Sequence, residues 1–191
     1  MPSPRAERRE QKEGNGGRII NMRVESRVLA EIFTSDEITE YLKLNPDNDE
    51  DNLVEGYIVA AREYAENRTG ASIAMTNYVV TIESPEKRMA LIKPPIISIN
   101  SVTKDGADIP YTLDGNTIVF DDYIEGNVVV DYTAGYTNCP EEIKVAMKML
   151  IGHWYSHREA VYVSTGSVTS KSSPIAMGVD AILNQYKVWW F

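Results

Sequence analysis

Tyr78-Val79-Val80-Thr81-Ile82, halted at Ser84-Pro85, opens a series of short β-rich runs between Ser72 and Gly135. Arg88 to Ile92 stops at Pro94-Pro95, and Ile96 to Thr103 stops at Asp105-Gly106. Tyr111-Thr112-Leu113 and Thr117-Ile118-Val119-Phe120 flank Asp114-Gly115, a strong hairpin signal. Asn127 to Thr133 closes the series after Glu125-Gly126. Runs of β-branched and aromatic residues between such turn residues predict a small antiparallel sandwich or barrel.

On both sides of this stretch the hydrophobic period changes to that of helices. Upstream, Thr34 and Glu37 have the spacing of a capping box, and Phe33 and Ile38 that of a hydrophobic staple. A first helix follows, with Ile38, Tyr41 and Leu42 on one face, ending before Asn45-Pro46. A second is predicted from about Glu50 to Arg68, with Leu53, Tyr57, Ala60, Ala61 and Tyr64 inward and Gly70 as its left-handed stop. Downstream, Pro140 is expected at the first position of a third helix, with Glu141 and Glu142 on the positive end of its dipole. Ile143, Met147, Leu150 and Trp154 make its stripe, widened by Ala146, Met149 and His153. A last helix after Pro174 turns Val179, Ile182, Leu183 and Tyr186 inward. The expected class is therefore α+β: a bundle of two N-terminal and two C-terminal helices with an inserted small antiparallel β-lobe. The boundaries predicted are a flexible charged arm over 1–30, a helical domain from 31–71 and 136–191, and the β-lobe over 72–135.

Charge and composition narrow the functions. Net charge is −9, but residues 1–30 carry seven basic and four acidic side chains. The remainder carries twelve basic and twenty-four acidic ones. An acidic body repels phosphate, so duplex binding through a broad basic face is not expected. Residues 1–21 are nearly devoid of apolar side chains before Ile19-Ile20, which predicts disorder in isolation. The apolar runs fall far short of the ~20 residues that cross a bilayer, and no secretory signal is expected. A single cysteine, Cys139, fits a reducing compartment and excludes an internal disulfide framework.

Motifs that carry chemistry are few. Asp47, Asp49 and Asp51 match the first positions of a calcium loop, but Asn52 stands where glycine is needed and Ile58 where a bidentate glutamate is needed. His153 and His157 are one helical turn apart, yet Trp154 occupies the place of a zincin glutamate. Cys139 sits before a helix N-terminus, where a thiolate would be stabilised, but no partner residue is signposted and an incidental buried thiol accounts for it better. No phosphate-binding glycine loop and no Gly-x-Ser-x-Gly elbow occur. No cofactor, metal ligand set or catalytic residue is therefore assigned. Trp189, Trp190 and Phe191 are costly to leave in water and are the candidate partner-docking residues, with packing on the chain's own helices as the alternative. The uncharged Ser/Thr-rich stretch 160–173 exceeds a usual helix–helix connection.

Four segments in order carry a resemblance. They are Ser35-Asp36-Glu37-Ile38-Thr39-Glu40-Tyr41-Leu42 with its acidic loop, and Ala60-Ala61-Arg62-Glu63-Tyr64-Ala65-Glu66-Asn67-Arg68-Thr69-Gly70. Then come Pro94-Pro95-Ile96-Ile97-Ser98-Ile99-Asn100-Ser101-Val102 with Val128 to Tyr136, and Pro140-Glu141-Glu142-Ile143-Lys144 with His153 to Glu159. Over roughly residues 33–187 the chain resembles the head–tail connector family of long-tailed bacteriophages, also called adaptor or head-completion proteins. The resemblance implies a structural virion protein, not an enzyme, in the neck at the head–tail junction and in the host cytoplasm during assembly. Its implied partners are further copies of itself in a ring (a dodecamer if it matches the portal), the portal above, and a connector, stopper or tail protein below. Packaged DNA would pass through without sequence-specific binding, and no membrane is involved. Another neck or tail-completion component is the nearest alternative; a small metal-dependent hydrolase using His153 and His157 is a more distant one.

Overall fold

The computed structural model describes residues 18–21, 27–45, 50–157 and 174–189. They fall into two compact units, one comprising residues up to Arg27 together with Thr76–Ala134, the other Val28–Met75 together with the chain from Gly135 on.

Among the described residues the helices all fall outside the first unit, which is built of strands and their turns. Its main sheet is built from β1 (Arg18–Asn21), β3 (Met75–Glu83), β5 (Ile96–Lys104), β6 (Ala107–Asp108) and β9 (Asn127–Ala134), in the order β1-β3-β9-β5-β6. Their pairings are antiparallel, with Tyr78 opposite Tyr132 and Val80 opposite Val130 at its centre. A second sheet holds β4 (Arg88–Ala90), β7 (Tyr111–Asp114) and β8 (Thr117–Phe120), ordered β4-β8-β7. Along β3, Thr76, Tyr78, Val80 and Ile82 are buried while the alternate residues are not, as a pleated strand with one face on a core requires. Tyr78, Val80 and Ile82 meet Val102, Val128, Val130, Leu91, Ile118 and Phe120 in one cluster. The Tyr78 and Tyr132 rings stack with centroids 5.6 Å apart, and the Tyr132 hydroxyl donates to the Ile92 carbonyl at 2.9 Å. Burial, with Tyr78 adding to it, pushes the Tyr132 phenol well above its ordinary pKa. Two irregularities in the β5–β9 register, at Ile96/Ser98 and Ile99/Ser101, break the alternation of β5 and bend the sheet.

The second unit packs α1 (Ser35–Leu42), α2 (Asp51–Thr69), α3 (Glu141–Ser156) and α4 (Pro174–Leu183) around one core, with a 3₁₀ turn over Asn184–Tyr186. The remaining strand, β2 (Arg27–Ala30), spans the point where the chain passes between units. The capping box is formed: the Thr34 hydroxyl accepts from the Glu37 N–H at 3.3 Å, and the Glu37 carboxylate accepts from the Thr34 N–H at 2.9 Å. Gly70 closes α2 in the left-handed region at φ 77°.

The helical bundle with a small β-lobe is overturned. Among the described residues nine strands stand against four helices, and the fold is β-rich, with a curled main sheet, a second three-stranded sheet and a core of its own. The expectation failed in weight. Arg18–Asn21 and Arg27–Ala30, assigned to a charged arm, are strands, because a sheet edge can pair through backbone groups whatever the side-chain charge. Helix faces shifted as well. The inward face of α2 is Val54, Ile58, Ala61, Arg62, Ala65, Glu66 and Thr69, while Leu53 and Ala60 are exposed. Pro140 is the N-cap of α3 and not its first residue. The stretch 160–173 and Asp47 and Asp49 of the calcium-loop reading lie outside the described residues.

Candidate docking site

The C-terminal segment is fastened before its aromatic end. Val188 donates its N–H to the Thr69 carbonyl at 2.7 Å, satisfying one of the acceptors left over at the end of α2. The Tyr186 hydroxyl donates to Glu142 at 2.7 Å. That bond pushes the Tyr186 phenol up to about 12 and holds the Glu142 carboxyl below the usual glutamate range. Because the folded value is lowered, the bond's stabilisation is present above the unfolded glutamate pKa and lost as pH falls through the folded one. Tyr186→Phe is therefore expected to return the Glu142 titration toward the ordinary range, as read by NMR of its carboxyl carbon.

Beyond this anchor Trp189 is 66% exposed, and the Lys187 ammonium lies 5.0 Å from its ring centroid. The structure thus brings Lys187 and Trp189 together into a cationic, aromatic tip. Trp190 and Phe191 lie outside the described residues.

A groove of about 370 Å³ lies between the start of α1 and α2, lined by Phe33, Ser35, Glu55, Ile58 and Val59, with Glu31 and Thr34 completing it. Phe33 and Ile58 are buried, whereas Val59 is 37% exposed. Nothing in the local sequence announces this groove, because its two walls come from segments at least twenty positions apart.

Beside it runs an ionic network, centred on the buried Arg62 and Glu66, that the helical pattern also hid. Arg62 Nε lies 3.0 Å from Glu31, and an Arg62 terminal nitrogen lies 3.2 Å from Glu66. The other Glu66 oxygen accepts the N–H groups of Ile73 and Ala74 at 3.0 and 3.4 Å. Burial opposes the charge on Arg62, but the bond to Glu31 and the two carboxylates outweigh it and raise its pKa. Thr69 donates to the Ala65 carbonyl at 2.8 Å and accepts from the Ala71 N–H at 3.2 Å. The stretch Arg62 to Gly70 therefore sets the exit from α2.

The remaining candidates are placed as follows. The Cys139 thiol is buried, and burial pushes its pKa up to about 11, so the helix N-terminus does not make it a thiolate. The His153 and His157 rings are 4.4 Å apart, with His157 Nδ1 2.9 Å from the His153 carbonyl. Among the described residues no third His, Cys, Asp or Glu joins them in a group that could hold a metal. Trp154 lies 6.3 Å from Tyr57 and 6.4 Å from Tyr64, as part of the core.

Comparison with solved structures finds the same fold in chains of gene transfer agent (GTA) particles. A chain in the neck of a native GTA particle computed with C12 symmetry superposes with a TM-score of 0.66 at 14% identity, covering 90% of this chain and 97% of that one. A chain from the virion of a native gene transfer agent particle gives 0.65 at 14%, over 87% and 97%. A third, from the neck of an empty GTA particle computed with C6 symmetry, gives 0.62 at 15%, over 87% and 96%. No curated protein matches the chain in sequence. The profile of one family, head completion protein, matches residues 31–189, which includes Thr76–Ala134 of the first unit, most of the second, and every segment on which the resemblance rested. The chain belongs to the head completion protein family.

Proposed function

We propose that copies of this chain stand side by side in a ring beneath the portal, carry the DNA channel from head to tail and help retain the packaged genome. Head completion is a structural task at the virion neck, and the carrying observation is the family match over residues 31–189. Side-by-side assembly needs two complementary flanks on each copy and no reacting group. Twelve copies would match a twelvefold portal; the C12 symmetry applied to the neck of the similar particle supports that number. Beyond residue 30 acidic side chains outnumber basic ones two to one. A lumen lined by such residues lets DNA slide without sticking, because phosphate meets like charge. Trp189, Trp190 and Phe191 act as anchors on a neighbouring subunit.

Particles assembled without the chain are expected to be DNA-filled heads that leak or fail to hold tails, and purified chain added back restores joining. Electron microscopy of the restored neck then shows a ring with an acidic lumen. Complete particles formed in its absence would sink the reading, and so would a basic lumen for the sliding argument. Binding to free tails in place of portal-bearing heads would reassign the chain to tail completion.

A further inference from the structure

Resting on the reading of the C-terminal aromatics as docking anchors, we infer that the groove between α1 and α2 receives the Lys187–Trp189 tip of a second copy of this chain. The chemistry of the two is matched. The groove has an apolar floor in Phe33 and Ile58, an apolar wall in Val59 and a carboxylate at its rim in Glu55. Glu31 is neutralised by Arg62, whereas Glu55 has no ion-pair partner among the described residues. Its carboxylate takes only a long bond from Ser35, at 3.4 Å. Lys148 lies 5.1 Å from the Phe33 ring but does not line the groove. The tip offers an exposed indole with an ammonium over its face, so the indole fits the apolar floor while Lys187 meets Glu55.

Reach decides that the donor is another copy. Val188 is tied to Thr69, the last residue of α2, while Val59 and Glu55 lie ten and fourteen residues back along the same helix. At 1.5 Å per residue that is about 15 to 21 Å. Trp189 is a single residue past the tie and extends on the order of 10 Å, ring included. A copy therefore cannot fill its own groove with its own Trp189. Donor and acceptor sit toward opposite ends of α2, which makes the contact head-to-tail. Contacts of that kind propagate from copy to copy and close into a ring when the rotation between copies closes.

The test uses a fluorescein-labelled peptide of sequence Lys187–Phe191, titrated by anisotropy with the Trp189→Ala chain, whose weakened tail leaves grooves open. Saturable binding is expected, at least tenfold weaker when Val59→Arg is added. Glu55→Lys, at an exposed position that leaves the fold undisturbed, is expected to weaken it as well, and the loss should shrink in high salt. Absence of binding, or equal binding to the groove variants, would overturn the assignment. Assembly of a chain lacking residues 189–191 separates the two ideas. If that chain fails to assemble while the peptide ignores the groove, the aromatics are anchors with a different acceptor. Unimpaired assembly would remove the docking reading itself.

Discussion

Gly135→Ala is expected to destabilise the chain by about 3–5 kcal/mol, the sum of backbone strain and overpacking. Gly135 follows β9 at φ +123°, a conformation that side chains rarely adopt. A Cβ built there would lie 2.3 Å from the Ala74 carbonyl oxygen, 2.7 Å from its carbon and 2.9 Å from the Met75 Cα. All three are backbone atoms, so no side-chain rotation relieves the clash. For a chain of this size the melting temperature should fall by on the order of 10 °C. Two control substitutions isolate the cause. Gly106→Ala has a comparable positive φ of 81° but open space around it, so it should cost only the strain, about 1 kcal/mol. Gly56→Ala lies within α2 with nothing near, and should raise stability by about 0.5–1 kcal/mol. A Gly135→Ala chain melting with the wild type would mean that the close passage over Ala74 is not formed.

The second large effect is at Glu66. Glu66→Ala leaves Arg62 buried with one carboxylate in place of two, and removes the oxygen that accepts from the Ile73 and Ala74 N–H groups. Removing one partner of a buried pair costs about 3–5 kcal/mol. Glu66→Gln keeps an oxygen for the two N–H groups and gives up only the charge, so its loss should be roughly half as large. Denaturant unfolding of the two variants separates the parts. Equal losses would show that the ion pair carries the whole effect, and no loss in either would show that the network is a surface pair that water replaces.

The strands between turn signals were legible because Asp105-Gly106, Pro94-Pro95 and Glu125-Gly126 punctuate them whatever the tertiary context. The hairpin at Asp114-Gly115 was read correctly within a residue, since β7 and β8 pair from Tyr111–Phe120 to Asp114–Thr117. The weight of the β part was not legible. β1 and β2 are only four residues each, so a reading based on hydrophobic period passes over them. On α2, Arg62 and Glu66 are not among the residues that the apolar spacing turns inward, yet their side chains are only 9% and 11% exposed. Charges that satisfy one another can occupy a helix face where apolar residues are expected. The aromatic tip was visible in sequence, because Trp189 cannot be hidden by a run of polar neighbours. Its proposed acceptor was not, because Phe33 and Val59 become neighbours only when α1 packs on α2.

Cys139 has a practical consequence. It is the only sulfhydryl of the chain, it is buried, and burial holds its pKa up, which slows its reaction in the closed state. An alkylating reagent consumes it faster whenever the beginning of α3 opens. The rate of alkylation therefore acts as a built-in clock for local opening, with no engineered label, and slowing of that clock on joining a particle would measure how far assembly quiets the subunit.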